Sequence, residues 1–378
     1  MTVITSLPYR GIDNQTRIVF LKNRSIPEFY KGAQIIRFPN PWAGRKGLWM
    51  KILEYGIFTF WILVSSMRFG RKADAFLVQS SPPFAGLFVS MATMMRRVPI
   101  IYNLQDLFPD SAIKSGILRG RWLIECLRYL EKLTYRRATV VTAISRSFAD
   151  HVVSLSPGCN VVVLPNWIDV ERIDYVPPCN NEFLTTCGLK GKFIVLYAGN
   201  IGFAQNLDVV VNAAAALRDN PEIVFVIVGD GQHKEAIQEK VRELCLSNVY
   251  IYPLQPEEKA AEVYSMAEIG LVTVRKGIGH SSIPSKTWMI MACRRPVLAA
   301  IDDDSELAKF LSTEELGITV PPDDPQALSK AIVMLYEDVG LRQRLGARGR
   351  HYVEQNLSRS LITSAYDRLI EKLVSLKR

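Results

Sequence analysis

The second half of the chain alternates short apolar runs with stretches of helical periodicity. Near-continuous apolar runs are typical of strands in a parallel sheet that helices cover on both faces. Regular alternation of the two types predicts a doubly wound α/β domain. The predicted strands are residues 193–199, 224–229, 249–253, 269–274 and 296–301, and the predicted helices are residues 206–219, 232–246, 257–268 and 284–294.

The first half repeats this pattern less regularly. The polar, proline-bearing stretch 167–183 then predicts a linker between two α/β units. Residues 341–378 predict two amphipathic helices, broken near Asn356. The strands predicted before the linker are residues 1–6, 34–38, 75–80, 99–104, 139–144 and 160–165, and the helices are residues 47–69, 83–97, 119–137 and 145–155.

Composition supports a globular protein of two domains. The chain has 378 residues, of which 48% are hydrophobic, enough for two separate cores. Its six cysteines form no C-x-x-C pair and its four histidines no H-E-x-x-H motif. We therefore expect reduced thiols, no structural zinc and a cytoplasmic location, since no signal peptide opens the chain.

The excess positive charge lies entirely in the first half. Residues 1–180 hold 23 Lys and Arg against 12 Asp and Glu, whereas the whole chain carries a net +9. This distribution suits an anionic surface or substrate, such as phospholipid, a diphosphate carrier or nucleic acid. Nucleic acid is the weakest of the three, because the basic residues are scattered and form no nucleic-acid-binding motif.

The stretch 52–67 is strongly apolar but too short to cross a bilayer, which needs about 20 residues. It also contains Glu54, and basic residues flank it on both sides (Arg45, Lys46, Lys51, Arg68, Arg71 and Lys72). Two interpretations stay open: a core helix of the first domain, or a helix lying in the membrane interface.

Five stretches carry a resemblance to a known family. YAGNIGFAQNLD (197–208), FVIVGDG (225–231) and the stretch 281–306 resemble the donor-binding half of retaining glycosyltransferases of family four. NLQDLFPDSAIKSGIL (103–118) and QSSPPFAGL (79–87) resemble the acceptor half of the branch that makes bacterial O-antigen, capsule and exopolysaccharide, including N-acetylfucosamine transferases. The resemblance covers essentially the whole chain and implies the GT-B fold, two Rossmann-like parallel-sheet domains facing across a cleft.

The resemblance also implies a division of the chain. Residues 1–168 would bind the acceptor, 169–190 would be the linker, 191–356 would bind the donor, and the helix 357–378 would return to the first domain. In the family, the strand matching MTVITSLP is the second of the fold. We therefore expect that a first strand–helix unit is missing and that a hydrophobic sheet edge is exposed; the alternative is a shorter domain.

The donor site implied by the resemblance centres on the diphosphate. Pro284-Ser285-Lys286 opens a predicted helix, whose free N–H groups and lysine would hold the diphosphate. Many relatives carry Arg and Lys where Asn200 and Gln205 stand, and the paired glutamates of the family are replaced by Ser281 and Met289, so Glu306 or Asp304 would take over the ribose contacts. The donor-binding set is Gly199, Asn200, Gly202, Gln205, Gly229, Asp230, Arg275, Lys276, His280, Pro284, Ser285, Lys286 and Glu306.

On the acceptor side, Asp106 follows a predicted strand and would orient or deprotonate the acceptor hydroxyl. Ser80, Ser81 and Gln105 lie beside it. The resemblance makes Asp106 and Lys286 the catalytic residues and implies no metal cofactor. Asp302-Asp303-Asp304 could suggest a metal-binding D-x-D motif, but capping of the next helix by Asp304 or Ser305 is the plainer interpretation.

The resemblance therefore implies a retaining glycosyltransferase. It would move an N-acetylated or deoxy sugar from a UDP-linked donor to a lipid-diphosphate-linked glycan at the inner face of the cytoplasmic membrane. One alternative is a sugar-nucleotide 2-epimerase of the same fold, for which clustered carboxylates and histidines are not found in the sequence. The other is a truncated, non-catalytic remnant that binds nucleotide or membrane.

Overall fold

A computed structural model describes residues 1–6, 28–40, 48–70, 72–94, 98–114, 118–278 and 284–376. The chain divides into two compact units. The first unit comprises Met1–Leu164 together with Asp367–Arg378, and the second comprises Pro165–Tyr366.

The elements of the first unit agree with the predicted pattern at most positions. The apolar runs became strands because their β-branched and aromatic side chains pack on pleated surfaces. Its elements are β1 (Thr2–Ser6), β2 (Glu28–Tyr30), β3 (Ala33–Phe38), α1 (Leu48–Phe69), β4 (Phe76–Gln79), α2 (Ala85–Thr93), β5 (Ile100–Leu104), α3 (Asp110–Lys114), α4 (Arg121–Arg137), β6 (Val140–Ala143), α5 (Arg146–Leu155) and β7 (Val161–Val163).

The strands of the first unit form two separate sheets among the described residues. One sheet has the order β1-β3-β2, with β1 parallel and β2 antiparallel to β3. The other is parallel throughout, in the order β4-β5-β6-β7. The outer edges of β1 and β4 therefore have no strand partner in the part of the chain that the structure describes. Whether a further strand–helix unit belongs beside β1 stays a prediction.

The second unit is built on one parallel sheet in the order β10-β9-β8-β11-β12-β13. Nearly every residue of its central strands is buried, as the continuous apolar runs predicted. Its elements are α6 (Glu182–Cys187), β8 (Phe193–Asn200), α7 (Leu207–Ala216), β9 (Ile223–Asp230), α8 (Lys234–Glu243), β10 (Val249–Tyr252), α9 (Ala260–Ser265), β11 (Ile269–Thr273), α10 (Lys286–Ala292), β12 (Val297–Ala300), α11 (Glu306–Thr313), β13 (Gly317–Val320), α12 (Pro325–Glu337) and α13 (Val339–Asn356).

The stretch interpreted as a linker packs within the second unit instead. The side chain of Asn181 caps α6 by accepting from the N–H of Leu184 at 2.8 Å, and it donates to the carbonyl of Glu262 at 2.8 Å. The N–H of Val176 donates to Ser265 Oγ at 2.9 Å. These bonds fix the stretch to α9, so the division falls near Leu164 rather than after residue 168.

The C-terminal helix α14 (Arg359–Ser375) follows the break predicted near Asn356. Its last part belongs to the first unit, where Leu373 packs against Ile101 and Val140. Among the described residues, no helix combines the length and the hydropathy that crossing a membrane requires.

Candidate functional site

Glycines let the ends of β8 and β9 come very close together. Gly199 has φ 138°, in the region that favours glycine. A Cβ built on Gly229 would lie 1.9 Å from the carbonyl oxygen of Gly199, and one on Gly231 would lie 2.3 Å from that of Ile201. Side chains at these two positions would force the backbones apart. The main chain at the end of β8 therefore approaches that of β9 without an intervening side chain at these positions.

Asn200 and Gln205 bond to each other across the loop at the end of β8. Asn200 Nδ2 donates to Gln205 Oε1 at 3.1 Å, and the N–H of Gly202 donates to the same oxygen at 3.1 Å. Thr273 Oγ1 donates to the carbonyl of Gln205 at 2.5 Å. The two amides that stand in place of charged residues thus help to shape the loop.

Lys286 places a buried amine, without a hydrogen-bond partner among the described residues, beside the same loop. Its Nζ lies 3.6 Å from the centroid of the Tyr197 ring, and a Cβ on Gly199 would be 3.3 Å from it. Burial lowers the pKa of Lys286 to about 7, because desolvation disfavours the charged amine.

Helix α10 begins at Lys286, two residues later than predicted. Pro284 therefore lies ahead of the helix instead of in its first turn, and Ser285 stands at the N-cap without a side-chain capping bond. Residues 279–283, which include the predicted site residue His280, lie outside the described residues. Of the predicted helix-opening triplet, Lys286 is the residue that the structure brings to residues 199–205, the end of β8 and the turn after it, which we call the Gly199 loop.

Arg275 packs on the other side of the loop, whereas Lys276 is exposed. The Arg275 guanidinium lies 3.8 Å from the centroid of the Phe203 ring, and its Nε donates to the carbonyl of Phe203 at 3.2 Å. Asp230, at the end of β9, is exposed and its Oδ1 lies 3.8 Å from Lys234 Nζ. Arg275 is thus partly committed to the loop itself.

The aspartate run after β12 has a structural role. Ser305 caps α11 by accepting from the N–H of Ala308 at 3.2 Å, which decides between the two predicted caps. Asp302 Oδ2 accepts from the N–H of Gly277 at 2.8 Å. Glu306 lies in the first turn of α11. Over the described ranges, no group of three or more His, Cys, Asp or Glu residues is arranged to hold a metal ion.

The predicted acceptor residues meet where β4 and β5 end. The N–H of Gln105 donates to Ser80 Oγ at 2.9 Å, and Gln105 Nε2 donates to Asn103 Oδ1 at 2.6 Å. Asp106 Oδ2 accepts from Ser111 Oγ at 3.2 Å. Burial by its surroundings raises the pKa of Asp106, although the residue remains open to solvent. Ser81 is exposed.

Ser80 and Asp106 line a small pocket together with Tyr102 and Glu131, and we call it the carboxylate pocket. Sequence reasoning missed Glu131, and it missed Tyr197 beside Lys286. Both residues fit the periodicity of the elements that carry them. The available signal for Glu131 was a charged residue within the predicted helix 119–137. The signal for Tyr197 was a tyrosine near the end of an apolar strand.

Comparison with known proteins identifies both units. Residues 5–167 match the family model of the glycosyl transferase 4-like domain, and residues 188–352 match that of glycosyl transferases group 1. Among curated proteins, the chain is 25% identical to the putative colanic acid biosynthesis glycosyl transferase WcaI of Escherichia coli, over 81% of this chain and 75% of that protein. It is 22% identical to the probable glycosyltransferase WbjE of Pseudomonas aeruginosa, over 81% and 76%.

Solved structures share the fold. Sucrose-phosphate synthase from Thermosynechococcus elongatus superposes with a TM-score of 0.76 at 17% identity, covering 100% of both chains. HepE from Anabaena, in complex with UDP and glucose, superposes with a TM-score of 0.73 at 13% identity, covering 98% of this chain and 100% of that one. These likenesses confirm the expected GT-B class. The chain is a glycosyltransferase, with a glycosyl transferase 4-like domain followed by a group 1 domain.

Proposed function

We propose that the protein is a retaining glycosyltransferase that uses a nucleoside-diphosphate sugar, with the diphosphate bound between the Gly199 loop and Lys286. The observation that carries this proposal is the unpaired, buried Nζ of Lys286 beneath a glycine-lined loop. A buried amine without a counter-charge is costly, and an anion placed beside it removes that cost. The binding of UDP by HepE supports a donor of this class.

The chemistry requires stabilisation of the leaving diphosphate and alignment of an acceptor hydroxyl. The Lys286 ammonium would stabilise the charge that develops on the leaving group. Asp106 would orient the acceptor hydroxyl, with either its carboxylate or the departing phosphate taking the proton. We propose no metal cofactor, because the lysine supplies the positive charge that a metal ion would otherwise bring.

We further propose that the product belongs to a cell-surface polysaccharide and that the acceptor is a lipid-diphosphate-linked glycan. Support comes from the names of relatives, including the capsular polysaccharide biosynthesis glycosyltransferase CapM of Staphylococcus aureus, which is 23% identical over 77% of this chain. The basic first half suits an anionic lipid carrier. That the transferred sugar is N-acetylated or deoxy stays a prediction. The names of the relatives do not favour the alternative of a sugar-nucleotide 2-epimerase.

Helix α1 supports a membrane-bound location, because its exposure pattern is the reverse of that expected for a helix facing water. Trp49, Phe60 and Met67 are 73%, 57% and 54% exposed, whereas Glu54 and Ser65 are 6% and 1% exposed. An apolar outer face of this kind is typical of a helix lying in a membrane interface.

Apart from Tyr55, the large exposed apolar residues of α1 form one continuous stripe. They occupy positions 49, 53, 60, 64 and 67, a helical spacing that brings all five to the same face. We propose that this stripe, with basic residues at either end of the helix, attaches the enzyme peripherally to the inner face of the cytoplasmic membrane. Anionic lipid would add about 1 kcal/mol for each nearby Lys or Arg.

Substitution of Lys286 tests the donor site. Lys286→Ala removes a charge-assisted contact, and we expect UDP-sugar turnover to fall by roughly 10- to 150-fold, the equivalent of about 1.5–3 kcal/mol. More of the loss should appear in the rate than in UDP affinity, because negative charge grows on the phosphate as the bond breaks. UDP release from a panel of UDP-sugars measures the first, and calorimetric titration measures the second.

The exposed Lys190 in the same unit provides a matched control, and Lys190→Ala should behave as the wild type. An unchanged rate for Lys286→Ala would place the diphosphate elsewhere. Release of a free epimerised sugar nucleotide would identify an epimerase, and UDP binding without any turnover would identify a non-catalytic remnant.

A further inference from the structure

The carboxylate pocket contains a second acidic group that the proposed mechanism does not use. Glu131, on α4, is 3% exposed. Its Oε1 accepts from Tyr135 Oη at 2.7 Å and lies 2.9 Å from His151 Nε2. Its Oε2 is buried and has no hydrogen-bond partner within the described part of the chain. A buried carboxylate oxygen without a hydrogen-bond donor bears a desolvation cost that no hydrogen bond offsets.

Glu131 is joined to a wider polar network through His151. His151 lies between Glu131 and Asp110, with Nδ1 3.9 Å from Asp110 Oδ2, and Asp110 in turn pairs with Arg128 at 3.2 Å. The pKa values of Tyr102 and Tyr135 are raised, first by burial and then by the charge of Glu131. Both phenols therefore keep their protons and face the carboxylate as neutral groups.

The composition of the pocket selects the kind of group that can enter. Asp106 is open to solvent and Glu131 is buried, so the two carboxylates lie at different depths. The rings of Phe84 and Phe108 form apolar walls, and the lining contains no basic side chain. An anion would be repelled by the two carboxylates, whereas a neutral hydrogen-bond donor would satisfy them.

The free space limits that donor to a single small group. The cavity volume is about 10 Å³, counted as the space that the centre of a water molecule can reach. This volume is close to the least that one water molecule or one hydroxyl oxygen needs. A whole sugar ring does not fit there, but one hydroxyl group projecting from a ring does. Aromatic walls also suit the apolar faces of a sugar ring that remains outside.

We propose that Glu131 is a hydroxyl-binding residue of the acceptor site, whose Oε2 accepts a hydrogen bond from one hydroxyl group of an acceptor sugar while Asp106 contacts the sugar nearer the surface. This inference rests on the proposed function, because it assigns the pocket to a carbohydrate acceptor. It adds to that function a specificity-determining residue for the acceptor.

Ligand-observed NMR with the full chain tests the assignment. The probes are methyl glucoside, methyl fucoside and methyl N-acetylglucosaminide at tens of millimolar, with UDP affinity measured in parallel. We expect at least one glycoside to bind the wild type and Glu131→Gln to weaken that binding roughly tenfold or more. Glutamine keeps the oxygen that accepts from Tyr135 and His151, so α4 should stay folded.

Glu125→Gln is the matched control, because Glu125 lies on the same helix with 66% of its side chain exposed. It should bind the glycoside as the wild type does. Equal affinity of Glu131→Gln and wild type would overturn the proposal, as would the failure of every glycoside to bind a chain that still binds UDP. A crystal structure of the glycoside complex with only water at Oε2 would overturn it too. Loss of UDP binding by the wild type would instead refute the donor assignment.

Discussion

At the scale of single residues, the proposed donor site depends on the charge state of Lys286. The family resemblance named this lysine, but its pKa is set by its surroundings in the fold. Its Nζ lies against the Tyr197 ring with no counter-charge, and burial lowers its pKa to about 7. A lysine in water titrates near pH 10.4. Near pH 7 this amine is therefore only partly protonated, and a phosphate bound beside it would raise its pKa and favour the ammonium form.

The first prediction is a pH dependence of UDP affinity. Above pH 7 the unliganded Lys286 is mostly neutral and must gain a proton before it can pair with phosphate, so affinity should fall as pH rises, by up to about tenfold per unit. Lys286→Arg stays charged throughout and should show a flat profile between about pH 7 and 9. Calorimetric titration across this range measures both, and parallel profiles would contradict the assignment.

The same pKa predicts a change in stability with the opposite sign. Between pH 7 and about pH 10.4 the unfolded chain holds a proton on this lysine that the folded chain lacks. Lys286 therefore lowers stability most below pH 7, and this cost disappears as the pH rises. Urea unfolding of wild type and Lys286→Met should differ most at pH 6 and converge toward pH 10; a constant difference would argue against the lowered pKa.

At the scale of elements, helix α1 and strand β4 each expose apolar side chains. Periodicity alone left α1 between a core helix and an interface helix, since both use the same apolar residues. The structure shows that Trp49 and Phe60 point away from the protein interior while Glu54 is buried. Such an orientation depends on what the helix packs against, and a single sequence does not state that.

The stripe on α1 predicts salt-sensitive membrane binding. Phe60→Asp removes an apolar contact and adds a negative charge, so we expect it to weaken binding to anionic liposomes at low salt by about tenfold or more. Flotation of the protein with liposomes measures the bound fraction, which should also fall for the wild type as salt rises. Phe29→Asp, at a 66% exposed phenylalanine on β2, is the control. A wild type that stays in solution at low salt would exclude the membrane role.

The open edge of β4 predicts an aggregation site. Leu77 is 55% exposed on a strand whose outer edge has no partner in the described residues. A charged residue on such an edge opposes pairing with another chain. Leu77→Lys should therefore slow concentration-dependent aggregation, as measured by light scattering, and change the free energy of unfolding by less than about 1 kcal/mol. An unchanged aggregation rate would show that the edge is protected.

At the scale of the whole molecule, the two units have separate cores, so each should respond separately to a ligand. The proposed UDP contacts lie in Pro165–Tyr366. A ligand that binds one folded unit stabilises that unit by mass action, by about 2.7 kcal/mol at a concentration of 100 Kd. Scanning calorimetry should show one transition that rises with UDP and one that does not. A single transition that moves as a whole would show that the units unfold together.

The sequence by itself determined the order of most strands and helices, because the identity of an element follows from local periodicity. The apolar runs of β8 and β9 are an example, and the break near Asn356 is another. It did not predict β2 or β13, because their sequences, EFY and GITV, do not belong to uninterrupted apolar runs of the kind that marked the other strands. The glycines near the ends of β8 and β9 could be recognised from the sequence pattern, whereas Lys286 and Asp106 were implied by the family resemblance.

Only the tertiary structure decided which groups lack partners and which faces are covered. The unpaired oxygen of Glu131, the ring beneath Lys286 and the outward stripe of α1 each depend on contacts between residues far apart in sequence. The same holds for the assignment of the stretch 167–183 to the second unit, which hydrogen bonds to α9 establish. Local pattern reports which side chains a helix or strand presents, whereas burial and charge depend on the neighbours that the fold brings to them.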